Sequence, residues 1–368
     1  MVEEKYMRKK IMNIRKSTNL KMVRNLAIFI LLIIVTFWWI FRKQNMNDLF
    51  NTIKSTNIIY LVLGAFLMLC YHLTESYNLR SILVTLGERK ISIFKALKFT
   101  FIGFFFSSIT PAASGGQPIE IYYMTKEDIP GPKATLTSLL ILFDFQMSTI
   151  TYGVVCAIIN PKVISGGLFW LFLLGTTLNV LALTLFFFCI FSPKTTRKII
   201  KVFIKGLKKA RIKNMDKREK QITDSLNKYN EGAAFIKSNK SAFIKIILRE
   251  FLQVAFYFSV PFCIYKSLRL NSYNYFEIFS MQAILYITVC ALPLPGAVGV
   301  SETVFLRIFE AAFGTTLIAG SMILSRGVTF YLYVLISFFV VLINAIRMRN
   351  VKGDIDNYVT EFEKDLEE

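Results

Sequence analysis

The chain has 368 residues, 54% of them hydrophobic, and a mean hydropathy of +0.50, above the ~45–50% apolar share of an ordinary soluble domain. That excludes a soluble globular enzyme and points to a single integral membrane domain. The formal charge of +20 sits in segments flanking apolar runs, with no DNA- or RNA-binding motif beside it, so no nucleic-acid partner is expected.

A hydrocarbon core of about 30 Å takes roughly 20 apolar residues per crossing helix. Residues 1–24 are too basic for that and read as a cytoplasmic N-terminus, with Lys5, Arg8, Lys9, Lys10, Arg15, Lys16, Lys21 and Arg24. Residues 25–41, "NLAIFILLIIVTFWWIF", follow as a first span. The run is long, lacks a small-residue cleavage site and ends in "FRKQN", which argues against a removable signal peptide. Further spans are expected at 58–77, 133–159, 168–191 and 242–265, with a last one at roughly 327–346. Two stretches, 93–124 and 276–313, are apolar but broken by Pro, Gly and Ser. Between the spans lies a basic cytoplasmic loop, 194–241; counted on to Lys245 it holds 16 Lys/Arg against Asp216, Glu219, Asp224 and Glu231. Within it "RKIIKVFIKGLKKARIK" alternates lysines with apolar residues, the pattern of a helix lying on anionic lipid. The organisation expected is thus a basic end (1–24), a membrane domain (25–348) and an acidic cytoplasmic tail (349–368).

Charge fixes the direction of each crossing. With the N-terminus inside, the run at 58–77 returns to the cytoplasm, where Arg80, Arg89, Lys90, Lys95 and Lys98 follow it. Counting backward from the basic loop makes 133–159 start inside as well. The stretch 93–124 therefore begins and ends on one side, and with about 30 residues it suits a re-entrant hairpin rather than two crossings. Its tip is "TPAASGGQP", with Pro111, Gly115, Gly116, Gln117 and Pro118. The same count puts both ends of the second broken stretch outside, with a tip around "LPLPGAVGVSE" containing Pro295, Gly296, Gly299 and Ser301. Each tip runs Pro, small residues, Gly and then a carboxylate: Pro111 to Glu120 and Pro295 to Glu302, nine residues against seven. The fold expected is an all-α polytopic bundle with two re-entrant helical hairpins in inverted-topology repeats, the usual frame of secondary transporters.

"ITPAASGGQPIEIYYM" and "LPLPGAVGVSETVF" resemble the flippase-like transmembrane domain of the lysylphosphatidylglycerol synthase family, whose best-known members are the multiple peptide resistance factors. The resemblance spans 25–348. It implies translocation of an aminoacylated phosphatidylglycerol, such as lysyl-phosphatidylglycerol, between leaflets, and with it resistance to cationic antimicrobial peptides. Full-length relatives add a cytoplasmic domain that moves a lysyl group from charged transfer RNA to phosphatidylglycerol. Here only "RMRNVKGDIDNYVTEFEKDLEE" follows Ile346, so translocation is expected ahead of the alternatives, a phosphatidylglycerol lysyltransferase or a membrane subunit docking a separate synthase through the basic loop. A homo-oligomer is left open.

Ionisable residues within apolar spans are costly and are functional candidates by default. The headgroup-site candidates are His72, Glu75, Glu120, Asp144, Arg249, Glu250, Glu302, Arg307 and Arg326. Arginine grips a phosphodiester bidentately, and carboxylates suit the ammonium groups of an aminoacylated headgroup. Structural roles stay open beside these: His72 as a packing residue, Arg249 and Glu250 as groups reaching the interface, Glu120 and Glu302 as helix caps or partners of Arg307 or Arg326. The tip glycines are expected to permit tight turns. No catalytic residue, metal or other cofactor is expected: the five cysteines share no ligand spacing, one histidine is present, and Walker A, GxSxG and HExxH motifs are missing.

Overall fold

The computed structural model describes residues 54–110, 113–164, 166–209, 215–290 and 299–347, without the side chains of 199 and 203–222. The basic start, the span at 25–41, Pro111, Pro295, Gly296 and the acidic tail lie outside the described residues. The described part is all helical, with no strand.

Helix α1 (Ile58–Thr85) is capped by Asn57, whose side chain accepts from the Ile59 N–H. Next come α2 (Ile93–Ser108), capped by Ser92, and the short α3 (Gly116–Lys126). Helix α4 (Gly131–Ile159) begins with proline in its first turn, where the missing N–H costs nothing. A 3₁₀ turn, Pro161–Ile164, leads to α5 (Gly167–Phe191). The basic loop is itself two helices, α6 (Pro193–Lys209) and α7 (Met215–Ser238). Leu226, Tyr229, Ala233 and Ile236 of α7 are buried against α4 and α5, and the Tyr229 hydroxyl donates to the Cys189 carbonyl at 3.1 Å. Helices α8 (Lys240–Ser267), α9 (Tyr275–Val289) and α10 (Val300–Arg326) complete the order. Helix α10 runs on through a π-helical turn, Gly327–Tyr331, into helix as far as Arg347.

Among the described residues five helical segments are long and apolar enough to cross a membrane: Ile58–Thr85, Gly131–Ile159, Gly167–Phe191, Lys240–Ser267 and Val300–Arg347. The chain is a multi-pass membrane protein. Its outward residues fit a lipid solvent, since Phe66, Trp170, Leu181 and Phe339 are exposed apolar side chains. The last segment differs from expectation. It does not begin near residue 327 but is helical from Val300, broken only at Gly314, whose φ of 72° and ψ of 162° leave the helix. A residue without Cβ adopts that backbone cheaply.

The centre is the antiparallel pair α1 and α8, the most extensive helix packing among the described residues. The Asn57 N–H donates to the Ser267 carbonyl at 2.8 Å at one end, and Asn78 donates to Glu250 Oε2 at 3.0 Å toward the other. Pro261 inside α8 removes one helical hydrogen bond at the level of the Tyr257 carbonyl. Helices α9 and α10 pack on α8 and α4 around Phe258, Ile284, Phe305 and Phe309, while α2 packs on the final helix through Ile102, Phe105, Phe330 and Val341.

Candidate functional site

The first helix break is closed by short polar side chains, and the second is flanked by longer ones. At the first, the Thr110 hydroxyl donates to the Phe106 carbonyl at 2.6 Å and accepts from the Gly115 N–H at 2.9 Å. Ser107 reaches the Ala113 carbonyl, and Ala113 takes the left-handed φ of 54°. Gly115 and Gly116 supply room rather than a left-handed turn: Gly115 is right-handed, and a Cβ on Gly116 would stand 1.8 Å from Ser107 Oγ and 2.8 Å from the Gly103 carbonyl. Helix α3 therefore starts directly against α2. Gln117 is half-buried and Pro118 exposed in its first turn.

The second break ends at Gly299, whose φ of 93° opens α10. Glu302 is the third residue of that helix. Its Oε2 accepts from the Gly299 N–H at 2.6 Å and from Ser301 Oγ at 2.9 Å, satisfying donors that a helix start leaves unpaired. The other oxygen, Oε1, lies 2.8 Å from Arg326 Nε, and Arg326 also donates to Ser301 Oγ. The guanidinium stacks over Phe330, 5.4 Å from the ring centre. Buried charges persist when paired and hydrogen-bonded in this way. On the other side of the break, Asn179 of α5 donates to the Ile287 carbonyl at 3.1 Å and accepts from Cys290 Sγ at 3.1 Å; Gln146 of α4 holds Asn179 in turn.

A cavity of about 240 Å³ lies between the breaks. The first contributes Ser107, Ser108 and Ala113, the second Cys290 and Ser301. Tyr71 of α1, Tyr257 of α8, Gln282 and Tyr286 of α9, and Ser325, Arg326 and Thr329 add polar atoms, while Met68, Phe104, Phe305 and Phe330 make the wall apolar. The π turn places Arg326, Thr329 and Phe330 together on it, a distortion often found at functional sites.

The nine sequence candidates fall in three places. Arg326 lines the cavity with Ser301, and Glu302 stands behind them, 2% exposed. Glu120, Asp144 and Glu250 form a separate buried stratum, and Glu75, its side chain 26% exposed, borders it. Glu120 accepts from Ser138 at 3.4 Å. Arg249 borders this stratum, donating to Ser81 at 3.0 Å and Asn78 at 3.4 Å and stacking on Tyr77. His72 is fully buried among Tyr71, Phe101, Phe104 and Tyr333, with Nδ1 3.7 Å from Glu75. Arg307 stands apart, exposed beside Gly166 and Gly167 at the α4–α5 connection.

Tyr71, Tyr257, Gln282 and Tyr286 were not among the sequence candidates, nor were the bracing residues Gln146 and Asn179. Their signal was a polar side chain within an apolar run, weaker than a charge and repeated often in this sequence. Among the described residues no group of three His, Cys, Asp or Glu could hold a metal ion.

The chain matches the family described as "Lysylphosphatidylglycerol synthase TM region" over residues 26–337. It is also similar to a "UPF0104 membrane protein" of Archaeoglobus fulgidus, 21% identical over 322 residues that cover 86% of this chain and 96% of that protein.

Proposed function

This chain belongs to the lysylphosphatidylglycerol synthase transmembrane family, and from that premise we propose that it moves a phospholipid, an aminoacylated phosphatidylglycerol such as the lysyl form, between membrane leaflets. The observation that carries the reading is the cavity where both helix breaks meet, polar on a few side chains and apolar on the rest. A flipping protein must shelter a headgroup in hydrocarbon while the acyl chains stay in lipid. About 240 Å³ is below the roughly 300–1,000 Å³ of sites that enclose a whole drug-sized ligand, so it suits a headgroup without its tails. Arg326 offers donors to a phosphodiester, and the hydroxyls of Ser107, Ser301, Tyr71 and Tyr286 surround it.

In this reading α2–α3 and α9 with the first half of α10 enter the membrane from opposite faces and return, the breaks meeting near its middle. Irregular backbone at that depth must be enclosed by protein or line a polar cavity. The termini are then cytoplasmic in a cell membrane, and the route from basic loop to cavity starts on the inner leaflet. The outcome for the cell is a less anionic outer surface and resistance to cationic antimicrobial peptides.

The test is reconstitution of the full chain in liposomes with headgroup-labelled lysyl-phosphatidylglycerol and quenching of the label in the outer leaflet. Protein-dependent exchange supports the reading. Lack of exchange, with lysyl lipid instead formed from charged transfer RNA by the chain alone, replaces it with the transferase alternative.

A further inference from the structure

The acidic stratum holds unpartnered oxygens that the headgroup cavity does not use. Asp144 of α4 is fully buried and neither carboxylate oxygen has a hydrogen-bond partner. Glu250 of α8 is fully buried too; Asn78 satisfies Oε2, and Oε1 has no partner. One turn from each, Ser148 Oγ and Gln253 Oε1 are buried and equally unpartnered. An ionised carboxylate in this setting stands in a medium that screens little, and the unpartnered oxygens recover none of the desolvation cost through hydrogen bonds. The nearest guanidinium, Arg249, is engaged by Ser81, Asn78 and the Tyr77 ring rather than by either carboxylate. A positive charge or a proton belongs at these oxygens.

We propose that Asp144 and Glu250 form a proton-binding site that exchanges its proton as the headgroup cavity fills and empties. A proton fits better than a metal ion, because a single carboxyl oxygen holds it, whereas no group of three metal-ligating side chains exists among the described residues. The link to the cavity is Tyr71, which lines it and shares a side-chain hydrogen bond with Gln253, one turn from Glu250. A change of charge at the pair is therefore transmitted to the cavity wall through one residue.

The surrounding groups are few. Helix α1 presents Glu75, His72 and Tyr71; α3 presents Glu120; α8 adds Arg249 and Tyr257; and α9 adds Tyr286. Helix α5 carries no acidic or basic residue, and the charged residues of α7 with described side chains, Asp224, Lys228, Glu231 and Lys237, point to the exposed surface. The Glu302–Arg326 pair of α10 is self-neutralising.

The coupling rests on the translocation reading; the proton site does not. Two measurements separate them. Infrared difference spectra of the full chain in lipid, without substrate, are expected to show a protonated-carboxyl C=O stretch near neutral pH that is lost or reduced in Asp144→Asn and Glu250→Gln and unchanged in Glu310→Gln on the exposed face of α10. A spectrum without that band, a band that survives both substitutions, or one abolished by sodium would overturn the site, and thermal melts confirm that the variants fold. In liposomes with the voltage clamped, a one-unit pH gradient is expected to change the rate of lysyl-phosphatidylglycerol exchange by up to about tenfold, with the effect gone in Asp144→Asn. Exchange indifferent to the gradient would overturn the coupling. Lipid exchange absent from the unsubstituted protein while the band persists would refute the translocation reading and leave the proton site standing.

Discussion

The two helix breaks follow one plan in sequence and are wired differently. The first is closed locally: Thr110 ties Phe106 to Gly115, Ser107 reaches Ala113, and Gly116 lets α3 press on α2. The second is held from a distance, by Glu302 and Arg326 on one side and by Asn179 and Gln146 on the other. The cause is the spacing after the break. Glu302 is the third residue of α10 and reaches back to the Gly299 N–H. Glu120, two positions further on, is the fifth residue of α3, beyond reach of the helix start, and turns to Ser138 of α4 instead. A difference of nine residues against seven thus decides whether the carboxylate builds the break or joins the acidic stratum.

If the second break depends on its charge pair, Arg326→Met is the most damaging change. It leaves Glu302 buried and uncompensated, an expected loss of about 3–5 kcal/mol, read as a fall in thermal stability in lipid nanodiscs. Arg326→Met with Glu302→Gln should recover much of that loss while leaving the cavity without its cation. Asn179→Leu comes next: it strips the Ile287 carbonyl and Gln146 of a partner, and about 1–3 kcal/mol is expected. Gly116→Ala probes the first break through packing alone. The new methyl meets the Gly103 carbonyl as well as Ser107, so about 1–3 kcal/mol is expected, and Ser107→Ala should restore only part of it because the carbonyl is backbone. Thr110→Val, which removes one local hydroxyl, should cost about 0.5–1.5 kcal/mol. A loss for Thr110→Val as large as for Arg326→Met would erase the distinction between a locally closed and a remotely held break. Smallest is Lys133→Ala, which opens the partly exposed pair with Glu88 and should change stability by about 0–1 kcal/mol.

Much of the architecture was readable because a bilayer imposes a length on each helix. The runs at 58–77, 133–159, 168–191 and 242–265 each lie inside an observed helix, which extends one to eight residues beyond at one or both ends, and polar residues such as Asn78 and Arg80 prolong α1 without adding hydrophobicity. The last helix was misjudged because Gly314 breaks the backbone with no proline to announce it. Charge pointed to Arg326 and Glu302 at the cavity, but sequence does not say which charges share it: Asp144 lies in the separate stratum, and Arg307, five residues after Glu302, stands on the far side of α10. The tyrosines and amides that line or brace the site were hidden because a chain with 16 Tyr and 35 Phe offers no contrast by which to choose among them.

The central claim, that the cavity between the breaks receives a lipid headgroup, is tested most directly by photo-crosslinking. Liposomes of the full chain carrying a lysyl-phosphatidylglycerol analogue with a photoreactive headgroup are illuminated, and the adducts are mapped by mass spectrometry. The account predicts adducts on cavity residues of both breaks, Ser107 and Ser301 among them, with Tyr71 or Tyr286, lost when unlabelled lipid competes. Adducts confined to the lipid-facing surface, at residues such as Phe66 and Trp170, would contradict it.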